Sequence, residues 1–173
     1  MLSKNDVRGN GDDMLADNVP KSQLLKVTTS GSTGEPFTLF ADRHQLELRM
    51  ATTLRALEWT GWRFGDRQAR LWHQTLGMSR SQIIREHIDA WFMRRLFIPA
   101  FELNPENLEK FVDTIRKHRP KLVDGYAESL NFLAAYIESG GSADFSPQAM
   151  MSSAQALPDG SRKLIEEGFS TQV

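Results

Sequence analysis

The chain reads Val27-Thr28-Thr29-Ser30-Gly31-Ser32-Thr33-Gly34-Glu35-Pro36 between two apolar runs, and this stretch holds five hydroxyl side chains and two glycines. Glycine permits positive φ and a close approach of the backbone to a ligand, while consecutive N–H groups can form a concave anion site. The runs at 24–27 and 37–40 predict two strands that support the stretch. It is therefore typical of a phosphate-binding loop or, in the simpler interpretation, of a Ser/Gly-rich hairpin tip.

This loop differs from a Walker A element. No Lys-Ser or Lys-Thr pair follows Gly34, and the chain continues through Glu35 and Pro36 into a predicted strand. A Walker loop opens a helix whose N-terminus helps to bind phosphate, and that helix is missing from the pattern. Any phosphate binding here must rest on backbone amides and hydroxyls.

Composition sets outer bounds on the protein. A length of 173 residues with a 40% hydrophobic share fits one soluble globular domain. The absence of cysteine excludes disulfides, thiolate nucleophiles and cysteine metal sites. The chain is polar from Ser3 onward, and its most apolar window, 88–101, is short and interrupted by Arg94 and Arg95. These features predict a cytoplasmic protein without membrane insertion.

Charge is unevenly distributed although the formal net charge is only −1. Residues 43–95 carry ten basic side chains, all of them arginine, and five acidic ones. Because the acidic residues are interspersed on predicted helices, a solvated, ion-paired face is favoured over a nucleic-acid site. We therefore expect no nucleic-acid partner.

Strand and helix patterns alternate beyond the hydroxyl-rich stretch. Strands are predicted at 69–72, 96–99, 121–124 and 150–153. Helices are predicted at 42–58, from Ser79 or Ser81, from Asn104-Pro105 to before Pro120, at 127–138 and at 158–167. In the second of these helices we expect the apolar side formed by Ile84, Ile88, Trp91 and Phe92 to face the core. The alternation predicts an α/β fold with a mainly parallel sheet and right-handed crossovers.

Residues 29–36 match the pattern T-S-G-[ST]-T-G-x-P at every defined position. Further motifs follow in a consistent order: Trp59-Thr60-Gly61, Gly65-Asp66, Arg119-Pro120, Gly125-Tyr126 and Ser152-Ser153-Ala154-Gln155-Ala156-Leu157. Over almost its whole length the chain resembles the N-terminal domain of the adenylate-forming (AMP-binding) superfamily. The likeness is to its phenylacetate-CoA ligase-like branch, which includes relatives associated with capsule polysaccharide biosynthesis.

The resemblance implies ATP-dependent activation of a carboxylic acid with Mg²⁺, followed by thioester formation with coenzyme A. It assigns the ATP phosphates to Thr29, Ser30, Gly31, Ser32, Thr33 and Gly34. It assigns the acyl pocket to Gly125 and Tyr126, and the adenine side to Ser153, Ala154 and Gln155. Two positions depart from the pattern: Phe37 replaces a lysine common in the superfamily, and Gln155 replaces a glutamate common in this branch. Aryl, fatty and sugar-linked acids all remain open as substrates.

The resemblance also sets limits. The superfamily's Tyr-Gly-x-[ST]-Glu element, ribose-binding Asp and C-terminal domain with its catalytic Lys have no counterpart among the 173 residues. We therefore expect an irregular or helical lead-in at 1–22 and a partial AMP-binding domain at 23–173, inactive alone. No catalytic residue or metal ligand is assigned, and the scattered histidines, His44, His73, His87 and His118, are interpreted as structural.

Two further expectations follow from an incomplete domain. The alternative to a ligase fragment is a non-catalytic remnant or interaction domain that keeps the fold. An incomplete domain could also expose apolar surface, so self-association is expected alongside binding of a small carboxylic acid.

Overall fold

The computed structural model describes residues 2–28, 37–72, 79–141 and 144–173. The chain divides into two units, Met1–Arg55 and Ala56–Val173, and each is described by itself. The predicted phosphate loop, 29–36, lies outside the described residues. The predicted domain boundary at residue 22 stays a prediction.

The first unit contains a pair of short antiparallel strands. Its elements are helix α1 (Lys4–Gly9), a 3₁₀ turn (Lys21–Gln23), strand β1 (Leu24–Thr28), strand β2 (Thr38–Asp42) and most of helix α2 (Arg43–Glu58). The two strands are antiparallel, with a register that runs from Leu24 opposite Asp42 to Thr28 opposite Thr38. The strands expected on both sides of the hydroxyl-rich stretch are thus confirmed.

The helices that follow Asp42 and Ser79 each begin where a side chain accepts a hydrogen bond from a backbone N–H group. The Oδ1 atom of Asp42 accepts from the N–H of Gln45 at 2.6 Å, which starts α2 as expected. In the second unit the Ser79 hydroxyl accepts from the N–H of Gln82, and the Gln82 side chain returns a bond to the Ser79 N–H. This reciprocal capping box decides between the two predicted starts in favour of Ser79.

The second unit alternates strands with helices as predicted. Its elements are β3 (Gln68–Trp72), α3 (Arg80–Phe92), β4 (Arg95–Pro99), a 3₁₀ turn (Ala100–Glu102), α4 (Leu108–His118), β5 (Leu122–Tyr126), α5 (Ala127–Glu138), β6 (Ala149–Ser153) and α6 (Asp159–Phe169). Helix α4 begins three residues beyond the predicted Pro105. The Oδ1 atom of Asn104 accepts the N–H groups of Glu106 and Asn107 at 3.0 and 3.1 Å, and this local turn delays the helix.

The four strands of this unit form a parallel sheet in the order β4-β3-β5-β6. The connection through α3 leads from β3 to one edge, whereas the connection through α4 returns past β3 to β5. The direction of winding therefore changes between β3 and β5, and open α/β sheets bind ligands beyond the carboxyl ends of such strands. The predicted α/β class and parallel sheet are confirmed.

One face of the sheet supplies the hydrophobic core. Because side chains alternate along a strand, Ala69 and Leu71 point to the opposite face from Gln68 and Arg70. The core combines five strand residues with the inner faces of α4, α5 and α6: Ala69, Leu71, Ile98, Val123, Met150, Leu108, Val112, Ile115, Leu130, Leu133, Ala134, Ile165 and Phe169. Helix α4 contributes Leu108, Val112 and Ile115 to this core, and Ile115 is completely buried.

The prediction that α3 turns its apolar side to the core is wrong. Ile84, Ile88, Trp91 and Phe92 are 61–81% exposed, and Ala90 is the buried residue of this helix. Spacing alone shows which side chains share a helix face, but it does not show whether another element covers that face. The exposed side chains form what we call the α3 apolar face.

A turn before β3 is fixed by Asp66. Its Oδ2 atom accepts from the backbone N–H of Arg63 at 2.8 Å and from Nζ of Lys121 at 2.7 Å. Its carbonyl accepts from the indole N–H of Trp62, whose side chain is almost fully buried. The Lys121 hydrogen bond is the main cause that lowers the pKa of Asp66.

Replacement of Asp66 by Asn tests this contribution. At pH 7 we expect Asp66→Asn to lower the free energy of unfolding by about 1 kcal/mol, since a half-exposed charged hydrogen bond is lost. A lowered pKa stabilises the fold only while the carboxylate is ionised, so the deficit should shrink as pH falls below the usual value of 3.8. Urea unfolding of both proteins between pH 7 and pH 3 measures it.

The matched control is Asp17→Asn, which removes an exposed carboxylate from the first unit. It should leave the free energy of unfolding unchanged within error. A deficit for Asp66→Asn that stays constant down to pH 3 would contradict the assigned ion pair.

Candidate functional site

Two aromatic rings stack at the carboxyl ends of β3 and β5, where the winding direction changes. The rings of Trp72 and Tyr126 lie 4.3 Å apart between centroids at an interplanar angle of 18°. The guanidinium carbon of Arg70 lies 5.7 Å from the centroid of the Trp72 ring, a cation–π distance. The register places Ser153 of β6 beside Tyr126. Predicted site residues on two strands therefore meet at one edge of the sheet.

A cleft of about 640 Å³ opens next to this edge. Its walls come from the 3₁₀ turn after β4, the first turns of α5 and the loop after β6. The lining residues are Ala100, Phe101, Leu103, Tyr126, Glu128, Ser129, Asn131, Phe132, Ala154 and Gln155. The volume is in the range of small-molecule sites, and the mostly apolar lining with a few polar groups is also typical of them. The cleft brings together Tyr126 from the predicted acyl pocket with Ala154 and Gln155 from the predicted adenine side.

Gly125 and Ser153 are not among the described residues that line this cleft. Gly125 is buried, and a Cβ atom added to it would lie 2.8 Å from Cβ and 3.0 Å from the carbonyl oxygen of Leu71. Real Cβ contacts are longer than this, so the absence of a side chain lets β5 pair closely with β3. In this structure Gly125 contributes to strand packing directly below Tyr126.

The loop after β6 is held against the start of α5. Ala154 has a left-handed backbone with φ of +68°, which is uncommon for a residue with a Cβ and recurs at functional sites. The Oε1 atom of Gln155 accepts from the backbone N–H of Glu128 at 3.3 Å, and its Nε2 atom lies 3.5 Å from Oε2 of Glu128. The Gln155 carboxamide thus satisfies an otherwise unpaired donor of the first helical turn.

A polar network that sequence reasoning missed joins three strands on the sheet face opposite the core. Asp124 is almost fully buried; its Oδ2 atom accepts from Nε of Arg70 at 2.7 Å and its Oδ1 atom from Nε2 of Gln68 at 2.6 Å. Gln68 Oε1 in turn accepts from Nε of Arg95 at 3.0 Å. The signal was present as polar residues at alternate positions of otherwise apolar strands.

Burial sets the ionisation of this network. It raises the pKa of the Asp124 carboxyl, against the opposing effects of Arg70 and Gln68. Burial also lowers the pKa of the Arg95 guanidinium, and the charge of Arg70 acts in the same direction. A buried carboxylate next to two guanidinium groups is retained because its hydrogen-bond capacity is met on both oxygens.

The histidines show no catalytic grouping in the described part of the chain. His118 Nε2 lies 3.2 Å from the carbonyl oxygen of Gln68 and 3.1 Å from that of Arg94, and burial lowers its pKa. His73 lies outside the described residues. Within 2–28, 37–72, 79–141 and 144–173, no three His, Asp or Glu side chains are grouped as a metal site requires. In the same ranges no helix is long and apolar enough to cross a membrane.

The base of the predicted phosphate loop lies in the first unit. Thr28 and Thr38 are register partners, with their hydroxyl oxygens 3.4 Å apart. This pairing places the two ends of the hydroxyl-rich stretch side by side in a hairpin. The six predicted phosphate contacts, Thr29, Ser30, Gly31, Ser32, Thr33 and Gly34, stay predictions because they fall outside the described residues.

The architecture of the chain matches that of solved ligases. 2-Hydroxyisobutyryl-CoA ligase in an open conformation with 2-HIB-AMP and CoA superposes over 99% of this chain with a TM-score of 0.64 and 18% identity. The same enzyme in the postadenylation state with 2-HIB-AMP gives a TM-score of 0.63 at 18% identity. This chain therefore shares the fold of part of that ligase. It spans 40% and 37% of those two ligase chains, respectively.

A sequence comparison aligns this chain with a similar share of a known protein. Protein CapK of Staphylococcus aureus is 25% identical over 178 residues, which cover 99% of this chain and 38% of that protein. No family profile matches the chain. The resemblance to the adenylate-forming superfamily, expected from the 29–36 motif and the order of its companions, is confirmed at the level of fold.

A side chain at position 125 should disturb the pairing of β5 with β3. We expect Gly125→Ala to destabilise the fold by about 1–3 kcal/mol, because the added methyl group overlaps Leu71 and must push β5 away from β3. Thermal and urea unfolding measure the change. Gly160→Ala is the matched control, since a Cβ there meets nothing within 4 Å on helix α6. Equal stability of Gly125→Ala and the wild type would refute the close strand packing.

Proposed function

We propose that this chain is part of an ATP-dependent carboxylate-activating ligase of the phenylacetate-CoA ligase-like kind. The observation that carries the proposal is the unbroken 29–36 motif on a chain whose fold matches a ligase solved with an acyl-AMP adduct. The antiparallel strands that flank that motif and the cleft at the carboxyl ends of the parallel strands add support. The cytoplasm, where ATP and coenzyme A are available, is the proposed location.

In the proposed reaction a carboxylate oxygen attacks the α-phosphorus of ATP. The bond to the β-phosphate oxygen breaks, and the products are an acyl-adenylate and pyrophosphate. The hydroxyls and amides of residues 29–34 stabilise the negative charge that develops on the leaving pyrophosphate. Mg²⁺ supplies further charge neutralisation on the phosphates. Thioester formation with coenzyme A is the proposed second step.

The cleft is the proposed site of the acyl group and the neighbouring nucleoside. Tyr126 and Phe132 provide an apolar wall, and the loop at Ala154 and Gln155 provides the side assigned to adenine. Aromatic walls of this kind bury a flat organic acid and exclude water from it. In this proposal Gly125 acts through strand packing that positions Tyr126.

ATP binding to the chain tests the phosphate loop. We expect the wild type to bind ATP with Mg²⁺ more tightly than AMP. The double variant Ser30→Ala with Thr33→Ala should weaken ATP binding by about tenfold or more, because two donors to charged oxygens are lost. AMP lacks the β- and γ-phosphates, so its affinity should not change. Titration calorimetry with both nucleotides measures the difference.

The control variant is Thr53→Ala, which removes an exposed hydroxyl from helix α2 and should leave both affinities unchanged. A parallel loss of AMP affinity in the double variant would indicate general damage rather than lost phosphate contacts. Absence of ATP binding to the wild type would count against the proposed loop function.

A second candidate function is an interaction domain without catalysis. The α3 apolar face favours it, because Trp91 is 81% and Ile88 63% exposed and exposed apolar patches often mark protein contacts. This face could act in addition to ligand binding, through self-association of the chain.

Light scattering tests whether the α3 apolar face mediates self-association. If the α3 apolar face mediates self-association, the wild type should exceed its monomer mass of 19.6 kDa, and Ile88→Glu should restore the monomer. Ala51→Glu, which adds the same charge at an exposed position of α2, should not. A monodisperse wild-type monomer would remove the support for self-association.

A further inference from the structure

Positively charged side chains gather at the amino-terminal edge of the parallel sheet, opposite the edge that carries the cleft. Arg67 directly precedes β3 and Arg94 directly precedes β4, and these two strands pair from Gln68 and Arg95 onward. Arg119 ends helix α4 shortly before β5. All three side chains belong to exposed residues, and we call Arg67, Arg94 and Arg119 the edge arginines.

Two of the edge arginines are held in place by the backbone. Nη1 of Arg67 donates to the carbonyl oxygen of His118 at 3.1 Å, and Nη1 of Arg94 donates to that of Gly65 at 3.0 Å. Each contact uses one of the five N–H groups of a guanidinium, so most donors of each side chain remain for a ligand. Because both side chains are already positioned, binding costs them less conformational freedom.

Two of the edge arginines also stand where glycine is the usual residue. Arg94 and Arg119 have left-handed backbones, with φ of +51° and +48°, at the ends of α3 and α4. Helices commonly end on a glycine in this region, where a residue with a Cβ atom costs roughly 1 kcal/mol more. The two helix ends thus present guanidinium groups to the edge of the sheet at some cost to the backbone.

The edge arginines lack the carboxylate partners that their neighbours have. Lys121 pairs with Asp66 at 2.7 Å, and Lys117 pairs with Asp113 at 2.9 Å. In the part of the chain that the structure describes, none of the edge arginines forms an ion pair with a carboxylate within 4 Å. Their positive charge is therefore not neutralised by a side chain of the second unit.

His118 lies beside two of these cations without adding to their charge. Burial lowers the pKa of its imidazole, and the charges of Arg67 and Arg94 lower it further, whereas hydrogen bonds to two carbonyl oxygens act in the opposite direction. Because the pKa lies below the usual 6.5, the ring is mostly neutral at pH 7. Since both arginines act on the same imidazole, their charges are concentrated in one small region.

The positive charge exceeds the other charges at this edge. Helices α3 and α4 both end here, and the ion pairs of the edge, such as Asp66 with Lys121, balance by themselves. Each helix end is equivalent to about −0.5 charge, so the three edge arginines leave a net charge of about +2. A phosphate monoester carries about −1.5 to −2 at pH 7 and therefore complements this charge.

Guanidinium groups from separate segments suit a tetrahedral anion better than a planar one. A single guanidinium can bond to both oxygens of a carboxylate in one plane. A phosphate monoester has three strong acceptor oxygens that point in different directions, so it can bond to several guanidinium groups at once. The arrangement of the edge arginines therefore favours a phosphate group over a carboxylate.

We propose that the edge arginines form a binding site for a phosphate monoester group. The site shares no residue with the predicted phosphate loop or with the cleft, and strands of five residues separate its edge of the sheet from the cleft edge by about 13 Å. It does not depend on the proposed function. Soluble phosphate esters and the lipid phosphatidic acid both carry the group, and the test separates these two sources.

Titration of the 173-residue chain with glycerol 3-phosphate, at fixed pH and ionic strength, tests the site. The NMR signals of the His118 ring report on this edge, so binding elsewhere does not interfere. We expect saturable shifts with glycerol 3-phosphate and at least about tenfold weaker binding of acetate. The double variant Arg67→Gln with Arg94→Gln should weaken binding of the ester by about tenfold or more, because charged donors are lost.

Two further double variants serve as controls. Arg80→Gln with Arg85→Gln removes the same charge from exposed positions of α3 and should leave the affinity unchanged. Arg67→Lys with Arg94→Lys keeps both charges and can still donate to the backbone carbonyls, so it should fold even if the glutamine variant does not. It should bind the ester several-fold more weakly than the wild type, because an ammonium lacks the planar fork of a guanidinium.

Co-sedimentation with vesicles made of equal parts of phosphatidylcholine and phosphatidic acid identifies the source of the group. Shifts of the His118 signals with glycerol 3-phosphate indicate a soluble ester. Vesicle binding that is lost in Arg67→Gln with Arg94→Gln, without such shifts, indicates a lipid head group. Absence of both kinds of binding, equal affinity for acetate, or an affinity that neither edge-arginine double variant lowers overturns the inference.

Discussion

The pairing of β3 with a neighbour on each side is the constraint on which the second unit depends. β4 and β5 are not neighbours in the sheet, yet both must match the register of β3. β4 pairs with residues Gln68 to Trp72 of β3, and β5 pairs with residues Gln68 to Leu71. On the core face this match requires the close approach of Gly125 to Leu71. On the other face the same three strands are joined through the side chains of Gln68, Arg70, Arg95 and Asp124. One strand thus organises both layers and brings Trp72 and Tyr126 together at its end.

The charged network explains why this sheet face differs from the core face. Desolvation makes a buried carboxylate unfavourable, and only paired donors on both oxygens offset that cost. Asp124 has such donors from β3, so its own strand is bound to β3 in a single register. A shift by one residue would bring Ala69 or Leu71 opposite the carboxylate. The network therefore favours the correct alignment over its alternatives, in addition to any net stabilisation.

Local sequence patterns predicted which helices and strands form. They did not predict what packs against each of these elements. The alternation of strand and helix and the helix start at Asp42 depend on neighbours in sequence, and both were predicted correctly. The side of α3 that faces solvent depends on what packs against it, and periodicity contains no such information. The late start of α4 arose from competition by the Asn104 side chain, which a propensity argument does not weigh against a Pro at the first turn.

The candidate site shows the same division. The resemblance assigned Tyr126 to the acyl pocket, and Ala154 and Gln155 to the adenine side. All three line one cleft, since the carboxyl ends of parallel strands lie on the same side of the sheet. The packing role of Gly125 depends on its distance from Leu71, a residue of another strand far away in sequence, so no motif indicated it.

The walls of the cleft come from three separate connections: the turn after β4, the start of α5 and the loop after β6. Apart from Tyr126 at the end of β5, none of the lining residues belongs to the strands that hold the sheet together. Substitutions at Phe101, Asn131 or Ala154 can therefore alter one wall while the register of β3 and its neighbours stays intact. Ligand preference and fold stability are therefore largely separable properties in this architecture, so the lining of the cleft can change while the sheet stays the same.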